Sequence, residues 1–444
     1  MFTRHGRKIL MIGIFMVLIG LAFYIYFLTI LGSILIFSSV ISYPFFYSSI
    51  NLKNVEIIRE LDKKKGFCDD YIMVKITIRN NGNKSIDYLE IEDKIEDPLA
   101  FNVVLGENRI STRLDGNSEI KFSYVLYLRR RGIYRIGPTK IRIKDRLGYL
   151  VEEQEISSYS TLLVYPTYDD VRRMEAFASR RRQGLIFGAH RTKQKGMGTE
   201  FFGIREYVVG DEFRRIDWKA TARTGKHMIR EFESEKNIRV IIFLDASKTM
   251  TTGSVYNNKL EYSIRAALLL SKLALERHDQ VGLVVYSDKV KYFIEPRGTA
   301  NQFWRILEVL ARIKAEGPKK IYNAADFTVK RVKNDAFIFV ISDMEDISRY
   351  FVSAIMLLRS YKHEVVVVSP FGPYFEASAL ADMDPTDRAL LEAISEEAWE
   401  RRIKIQEKLK RMETNALNVS PQDFFPLVIQ EYLNMKKRGG SGIV

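Results

Sequence analysis

The stretch Val240-Ile241-Ile242-Phe243-Leu244-Asp245-Ala246-Ser247-Lys248-Thr249 decides the fold. Its apolar run is too short for a buried helix and rich in β-branched residues, so it reads as a strand covered on both faces, as in a parallel sheet. The same grammar returns downstream. Gly282-Leu283-Val284-Val285-Tyr286 ends at Ser287-Asp288, Ala336-Phe337-Ile338-Phe339-Val340-Ile341 ends at Ser342-Asp343, and Val365 to Val368 ends at Ser369-Pro370. Between these runs lie amphipathic stretches at Leu260 to Leu275, Gln302 to Ile313, Ser348 to Tyr361 and Arg388 to Arg411. A last unit runs from Ala416 to Val419 and from Phe424 to Leu433. The alternation predicts a doubly wound α/β domain over 237–437, followed by a flexible tail at 438–444.

Such sheets bind ligands beyond the carboxyl ends of their strands. Asp245, Ser247 and Thr249 follow one strand and Asp343 follows another, so hard oxygens can converge on one point. That donor set suits Mg²⁺ or Mn²⁺. The competing reading makes Ser247 and Thr249 helix N-caps.

Upstream, residues 166–236 read as a basic linker and a signature segment. From Arg172 to Arg230 there are 15 Lys or Arg against 6 Asp or Glu, most of the chain's net charge of +14. The half with Arg180-Arg181-Arg182 and Thr192 to Gly198 reads as a mobile loop, and its charge suits nucleic acid or anionic lipid. The other half is not a polycation. Arg205, Glu206, Tyr207, Gly210, Asp211, Arg214, Arg215, Asp217, Trp218 and Arg223 interleave arginines, carboxylates and aromatics. That mixture suits bidentate Arg to carboxylate pairing within the segment, a partner surface, or both.

Further upstream the period changes to two. Tyr71-Ile72-Met73-Val74-Lys75-Ile76-Thr77-Ile78-Arg79 alternates, as do Ile120, Phe122, Tyr124, Leu126 and Leu128. With turns at Asn80-Asn81-Gly82-Asn83, Leu114-Asp115-Gly116-Asn117 and Arg131-Gly132, residues 54–165 predict an antiparallel β-sandwich of immunoglobulin-like type. Its bland role is a spacer or docking module.

Residues 9–52 contain no Asp, Glu, Lys, Arg or His. A crossing helix needs about 20 apolar residues, so segment 1–53 predicts two transmembrane helices, at about 9–29 and 32–50, with a bend near Leu31, Gly32 and Ser33. Arg4, Arg7 and Lys8 precede the run, and Lys53 and Lys63-Lys64-Lys65 follow it. The positive-inside rule then gives a multi-pass protein of the cell membrane whose soluble domains face the cytoplasm. The single cysteine, Cys68, fits a reducing compartment and leaves no internal disulfide.

Enzyme chemistry finds no support in the motifs. There is no G-x-x-x-x-G-K-[ST] loop, no G-x-S-x-G elbow and no zincin histidine pair, and Gly196, Gly198 and Gly203 have the wrong spacing for a dinucleotide fingerprint. Asp211 and Asp217, beside arginines, would be poor bases at neutral pH.

Asp245-x-Ser247-x-Thr249 with the later Ile341-Ser342-Asp343 resembles a von Willebrand factor A domain with a metal-ion-dependent adhesion site. The run from Gly203 to Arg223, continuing through Arg230-Glu231-Phe232-Glu233, resembles the signature of the membrane-anchored domain of unknown function 58 family. The likeness extends over the hairpin and over a sandwich with Arg131-Gly132-Ile133-Tyr134-Arg135-Ile136-Gly137-Pro138 and Asp145-Arg146-Leu147-Gly148. The resemblance implies a protein-binding module, not an enzyme. Asp245, Ser247, Thr249 and Asp343 would hold Mg²⁺ or Mn²⁺, and a MoxR-type AAA+ ATPase would be the partner in assembly or maturation of other proteins. Adhesion sites usually add a Thr from a separate loop. Here Tyr322-Asn323-Ala324-Ala325 occupies that place, so Asn323 is the candidate, with Thr299 as a second choice. The other readings are a binder of nucleic acid or anionic lipid using residues 172–195, nucleic acid being disfavoured, and a scaffold whose metal site is vestigial.

Overall fold

The computed structural model describes residues 2–49, 54–167, 195–196, 200–233, 237–344, 349–370, 397, 399–400, 402–420 and 423–440. The chain divides into two compact units, Met1–Pro166 and Thr167–Val444.

The first unit opens with two antiparallel helices, α1 (Arg4–Ala22) and α2 (Tyr26–Ser49). Both are long and apolar enough to cross a membrane. The Thr3 side chain caps α1 by accepting from Gly6 N. The turn falls at Phe23–Ile25, with Tyr24 at φ 56°, and not near Gly32 as the sequence suggested. Gly32 instead lies in the seam between the helices. A Cβ there would stand 2.7 Å from Gly13 O, and one on Gly20 would stand 2.6 Å from Thr29 Oγ1. Small residues let helix backbones approach closely. The Thr29 and Ser33 hydroxyls donate to carbonyls four residues earlier, which keeps these polar residues inside the helix.

The helices lead into two facing sheets. One has the order β1 (Val55–Leu61), β3 (Tyr71–Asn80), β7 (Ser118–Leu128), β5 (Phe101–Leu105), all antiparallel. The other runs β2 (Lys65–Phe67), β10 (Ser160–Tyr165), β8 (Gly132–Lys144), β4 (Ile86–Ile95), β6 (Arg109–Leu114), with β9 (Val151–Ile156) paired to β8. The β2 to β10 pair is parallel, a departure from the all-antiparallel expectation. Ile72, Val74, Ile76 and Ile78 are fully buried while Tyr71, Met73 and Lys75 are exposed, as the period of two requires. They share one core with Leu89, Ile91, Ile141 and Ile143 of the other sheet. The helix pair docks on the loop after β8. Thr3 Oγ1 donates to Gly148 O at 2.6 Å, Thr3 N to Tyr149 O at 2.7 Å and Ser42 Oγ to Asp145 Oδ2 at 2.9 Å, and Phe46 joins the β core.

In the second unit the loop expected around Arg180 to Arg182 and from Thr192 to Gly198 lies outside the described residues, except that Lys195–Gly196 is a strand and not loop. Among the described residues, the rest of the expected linker is largely regular. The strands β11 (Lys195–Gly196), β12 (Glu200–Glu206) and β13 (Met228–Glu233) form a small sheet, with helix α3 (Trp218–Thr224) in the β12 to β13 connection.

The large sheet contains β14 (Arg239–Asp245), β15 (Gln280–Tyr286), β16 (Val290–Arg297), β17 (Phe337–Ile341), β18 (Glu364–Pro370) and β19 (Asn415–Val419) in the order β16-β15-β14-β17-β18-β19. All pairs are parallel except β15 with β16. The half-exposed edge strand β16 was not legible as a buried run. Its helices include α4 (Lys259–Glu276), α5 (Gln302–Arg312), α6 (Ile321–Val329), α7 (Arg349–Ser360) and α8 (Phe424–Gly440), and residues 402–411 are helical too. The expected helix from Arg388 lies partly outside the described residues, and α8 extends into the expected tail. Ile321 and Ala325 of α6 and Phe351 and Ile355 of α7 share a core with Ile241, Phe243, Ile338 and Val340. On the other side α4 packs against β14 and β15, with α5 and α8 beside it. From β14 the chain winds to β15 and β16 on one side and then crosses to β17, β18 and β19 on the other, so the topological switch point lies between β14 and β17, where Asp245 and Asp343 emerge.

Candidate functional site

Strand β14 delivers Asp245 fully buried at its carboxyl end. Its Oδ1 accepts from Ser247 N at 2.8 Å and its Oδ2 from Ser342 Oγ at 2.6 Å, which ties the ends of β14 and β17 together. Ser247 opens the short 3-10 turn Lys248–Thr251, yet its hydroxyl makes no capping bond. It lies 3.1 Å from Thr249 Oγ1 instead, so the two hydroxyls face one another beside the carboxylates. The N-cap reading therefore fails for Ser247.

Asp343 is also fully buried. Lys319 Nζ donates to Asp343 O at 2.9 Å and to its carboxylate Oδ1. Lys259 Nζ, itself fully buried at the start of α4, lies 3.6 Å from Asp343 Oδ2. The loop between α5 and α6 brings Lys319 there. Glu316 N donates to Ala246 O at 2.9 Å, Lys248 N to Gly317 O at 2.9 Å and Lys320 N to Ser287 O at 2.7 Å. Gly317 sits at φ 79°, a conformation that favours glycine. Burial pushes the Asp245 carboxyl up, with Lys319, Ser247 and Ser342 opposing. Burial acts the same way on Asp343, but the Lys319 and Lys259 ammonium groups outweigh it and hold that carboxyl below its ordinary value.

The third-element candidates do not join this cluster. Asn323 is not on a loop but exposed on α6, and its Nδ2 donates to Asp288 O at 3.1 Å. Thr299 follows Arg297, which pairs with Val281 at the start of β15, whereas Asp245 pairs with Tyr286 at its end. Thr299 thus lies toward the amino ends of the parallel strands, the opposite end of the sheet from Asp245. By type, the oxygens of Asp245, Ser247, Thr249 and Asp343 suit a hard cation. By charge, Lys319 and Lys259 already face the Asp343 carboxylate, which lessens the positive charge left for a cation to supply. Among the described residues no group of three or more His, Cys, Asp or Glu is arranged to hold a metal ion. Sequence reasoning missed both lysines. Lys259 gave a signal, since it lies on the same helical face as Ser263, Ala266 and Leu270, all of them buried.

The signature segment resolves into a network of ion pairs. Arg205 grips Asp211 through two bonds of 2.6 Å, and Val208 N donates to the same carboxylate at 2.9 Å. These bonds lower the Asp211 carboxyl to about 2, the Arg205 guanidinium contributing most. Asp217 caps α3 by accepting from Lys219 N and Ala220 N, both at 3.0 Å, and pairs with Arg230 at 2.8 Å. Lys226 pairs with Glu206 at 2.6 Å and Arg215 with Glu212 at 3.1 Å. Gly210 turns the chain at φ 111°. Arg214, Lys219 and Arg223 are exposed and take part in no ion pair among the described residues. Beside them, large apolar side chains stand in solvent: Val209 is 95% exposed, Phe213 73%, Trp218 65% and Val208 61%.

Comparison with known proteins gives distant relatives. Over 197 residues the chain is 25% identical to the uncharacterized protein YeaD of Bacillus subtilis, spanning 44% of this chain and 48% of that one. It is 25% identical over 115 residues to the uncharacterized protein Mb1516 of Mycobacterium bovis, spanning 26% and 36%. The chain thus spans about half the length of these curated relatives, or less. Among solved structures, BatB from Bacteroides thetaiotaomicron is similar at a TM-score of 0.31 and 16% identity, over 46% of this chain and 99% of that one. An aerotolerance-related membrane protein from Bacteroides fragilis is similar at 0.26 and 21%, over 30% and 67%. Residues 203–374 match the family model described as Protein of unknown function DUF58, and this one stretch contains both the signature segment and the strand ends bearing Asp245 and Asp343.

Proposed function

We propose that this chain is a membrane-anchored protein-binding subunit, not an enzyme, and that its partner is a MoxR-type AAA+ ATPase acting with it on other proteins. In this reading α1 and α2 span the bilayer as a hairpin, and both soluble parts lie on the cytoplasmic side. The two-sheet domain is an immunoglobulin-like spacer, and the α/β domain is of von Willebrand factor A type. The ATPase is carried over from the family resemblance.

The observation that supports a binding role is the exposure of Val208, Val209, Phe213 and Trp218, four large apolar side chains within eleven residues of the chain. Their backbone is held by the Arg205 to Asp211 clamp and the Asp217 cap, so little order would have to be gained on binding. Exposed apolar groups gathered on a fixed surface mark interaction sites, and Trp and Arg are enriched among the residues that dominate binding. Arg214, Lys219 and Arg223 beside them favour a partner surface that is apolar at its centre and acidic at its rim.

Co-purification from detergent-solubilised membranes tests this reading. Wild-type chain is expected to retain an AAA+ ATPase, and Val209→Ser with Trp218→Ala is expected to reduce that capture by about 2 kcal/mol or more, some thirtyfold. Undiminished capture by the double variant would refute the patch. Failure of any ATPase to co-purify with the wild type would refute the partner.

A further inference from the structure

We infer that the cation of the strand-end site is built into the chain: the ammonium groups of Lys319 and Lys259 stand where an adhesion-type site would place a divalent metal ion. Asp245 and Asp343 are fully buried, and buried carboxylates need compensating charge. Lys319 contacts the carboxylate and the carbonyl of Asp343, and Lys259 faces the other carboxylate oxygen at 3.6 Å. Two ammonium groups supply the same charge as one divalent ion. A metal added to the intact set would bury four positive charges against two negative ones, which the low dielectric of the interior opposes.

The construction of the loop supports the same conclusion. Glu316, Gly317 and Lys320 lace the chain to Ala246, Lys248 and Ser287 through backbone bonds, so the position of Lys319 is fixed by main-chain geometry. The Lys319 side chain is only 9% exposed and Lys259 is not exposed at all, so neither behaves as a solvated surface lysine. The Ser247 and Thr249 hydroxyls lie 3.1 Å from each other and also stabilise the Asp245 and Asp343 carboxylates, so their bonding is met within the chain. The inference concerns the charge of this site and stands independently of the partner proposed above.

Titration of the full-length chain in detergent with Mn²⁺, followed by the loss of the free-ion spin resonance signal, tests it. Wild type is expected to leave the signal undiminished, and its thermal unfolding midpoint is expected to be the same in Mn²⁺, in Mg²⁺ and in EDTA. Lys319→Ala is expected to unfold at a lower temperature in EDTA and to bind Mn²⁺ about tenfold or more tightly than wild type, with its midpoint rising again in the ion. Lys319→Arg keeps the charge and is expected to bind none. Saturable Mn²⁺ binding by wild type that disappears in Asp245→Asn would overturn the inference, as would a folded Lys319→Ala that binds no ion. If Lys319→Ala does not fold, the wild-type titration decides alone. The pull-down reads the partner and the spin titration reads the ion, so the two proposals fail separately.

Discussion

Two buried carboxylates, one in each unit, are handled differently. Asp93 in the two-sheet domain is saturated: Arg59 grips both oxygens, Thr139 Oγ1 donates to Oδ1 at 2.8 Å, and Tyr124 OH donates to Oδ2 at 2.6 Å. Asp343 has both lysines near it, yet its Oδ2 accepts no hydrogen bond and Lys259 stands 3.6 Å away. The first arrangement joins β1, β4, β7 and β8 and leaves nothing to be bound. The second lies at the switch point of a parallel sheet, where a charge held short of full satisfaction can still respond to a ligand. Saturation is thus a physical way to separate a structural polar cluster from a candidate site.

Breaking the saturated cluster is expected to give the largest effect. Asp93→Ala leaves the Arg59 guanidinium buried without its counter-charge, and removing one partner of a buried pair costs about 3–5 kcal/mol. Denaturant unfolding monitored in the isolated β signals should show that loss. Arg59→Met combined with Asp93→Leu should recover most of it, because two apolar groups need no partner. A loss of under about 1 kcal/mol for Asp93→Ala would mean that the cluster is not as dry as its geometry implies.

A smaller effect is expected where one hydrogen bond joins the two strand ends. Ser342→Ala removes the donor to Asp245 Oδ2 and leaves a fully buried acceptor, at a cost of about 1–3 kcal/mol. Hydrogen exchange should show the loss as faster exchange at the ends of β14 and β17. Unchanged protection there would show that another group replaces the hydroxyl, and the contrast with Asp93 would weaken.

Legibility in the sequence follows the same division. The period of two in β3 and the apolar runs of β14, β15, β17 and β18 were readable because burial on one or two faces writes itself into adjacent residues. The metal candidates Asp245 and Asp343 were found because they end such runs. Lys319 was not readable, since its place depends on main-chain bonds from a loop more than seventy residues away in the chain. Asn323 was misplaced for the same reason: chain order suggested a loop, but Ile321, Ala324, Ala325 and Thr328 supply the buried stripe of a short helix. The sequence places the helix turn near Leu31, Gly32 and Ser33, but the structure puts Gly32 in the seam. Between two apolar helices the glycine marks close approach instead.

The smallest expected effect sharpens the comparison at the surface. Asp211 too is held on both oxygens, by both ends of the Arg205 guanidinium and by Val208 N, but in solvent. Solvent screening makes such a clamp worth little in global stability, so its signature is local. Its carboxyl is lowered from 3.8 to about 2, which means that the folded state binds its proton less readily than the unfolded chain. The contribution of the clamp is therefore complete above pH 3.8 and is lost as the pH falls through about 2. Carboxyl chemical shifts should place the Asp211 midpoint near that lower value in wild type and return it toward the ordinary one in Arg205→Gln. Because Val208 and Val209 sit on the turn that this carboxylate closes, the same variant should loosen the apolar patch without unfolding the sheet beside it. A native midpoint already at the ordinary value would mean that the clamp does not hold the turn, and the exposed patch would lose its fixed backbone.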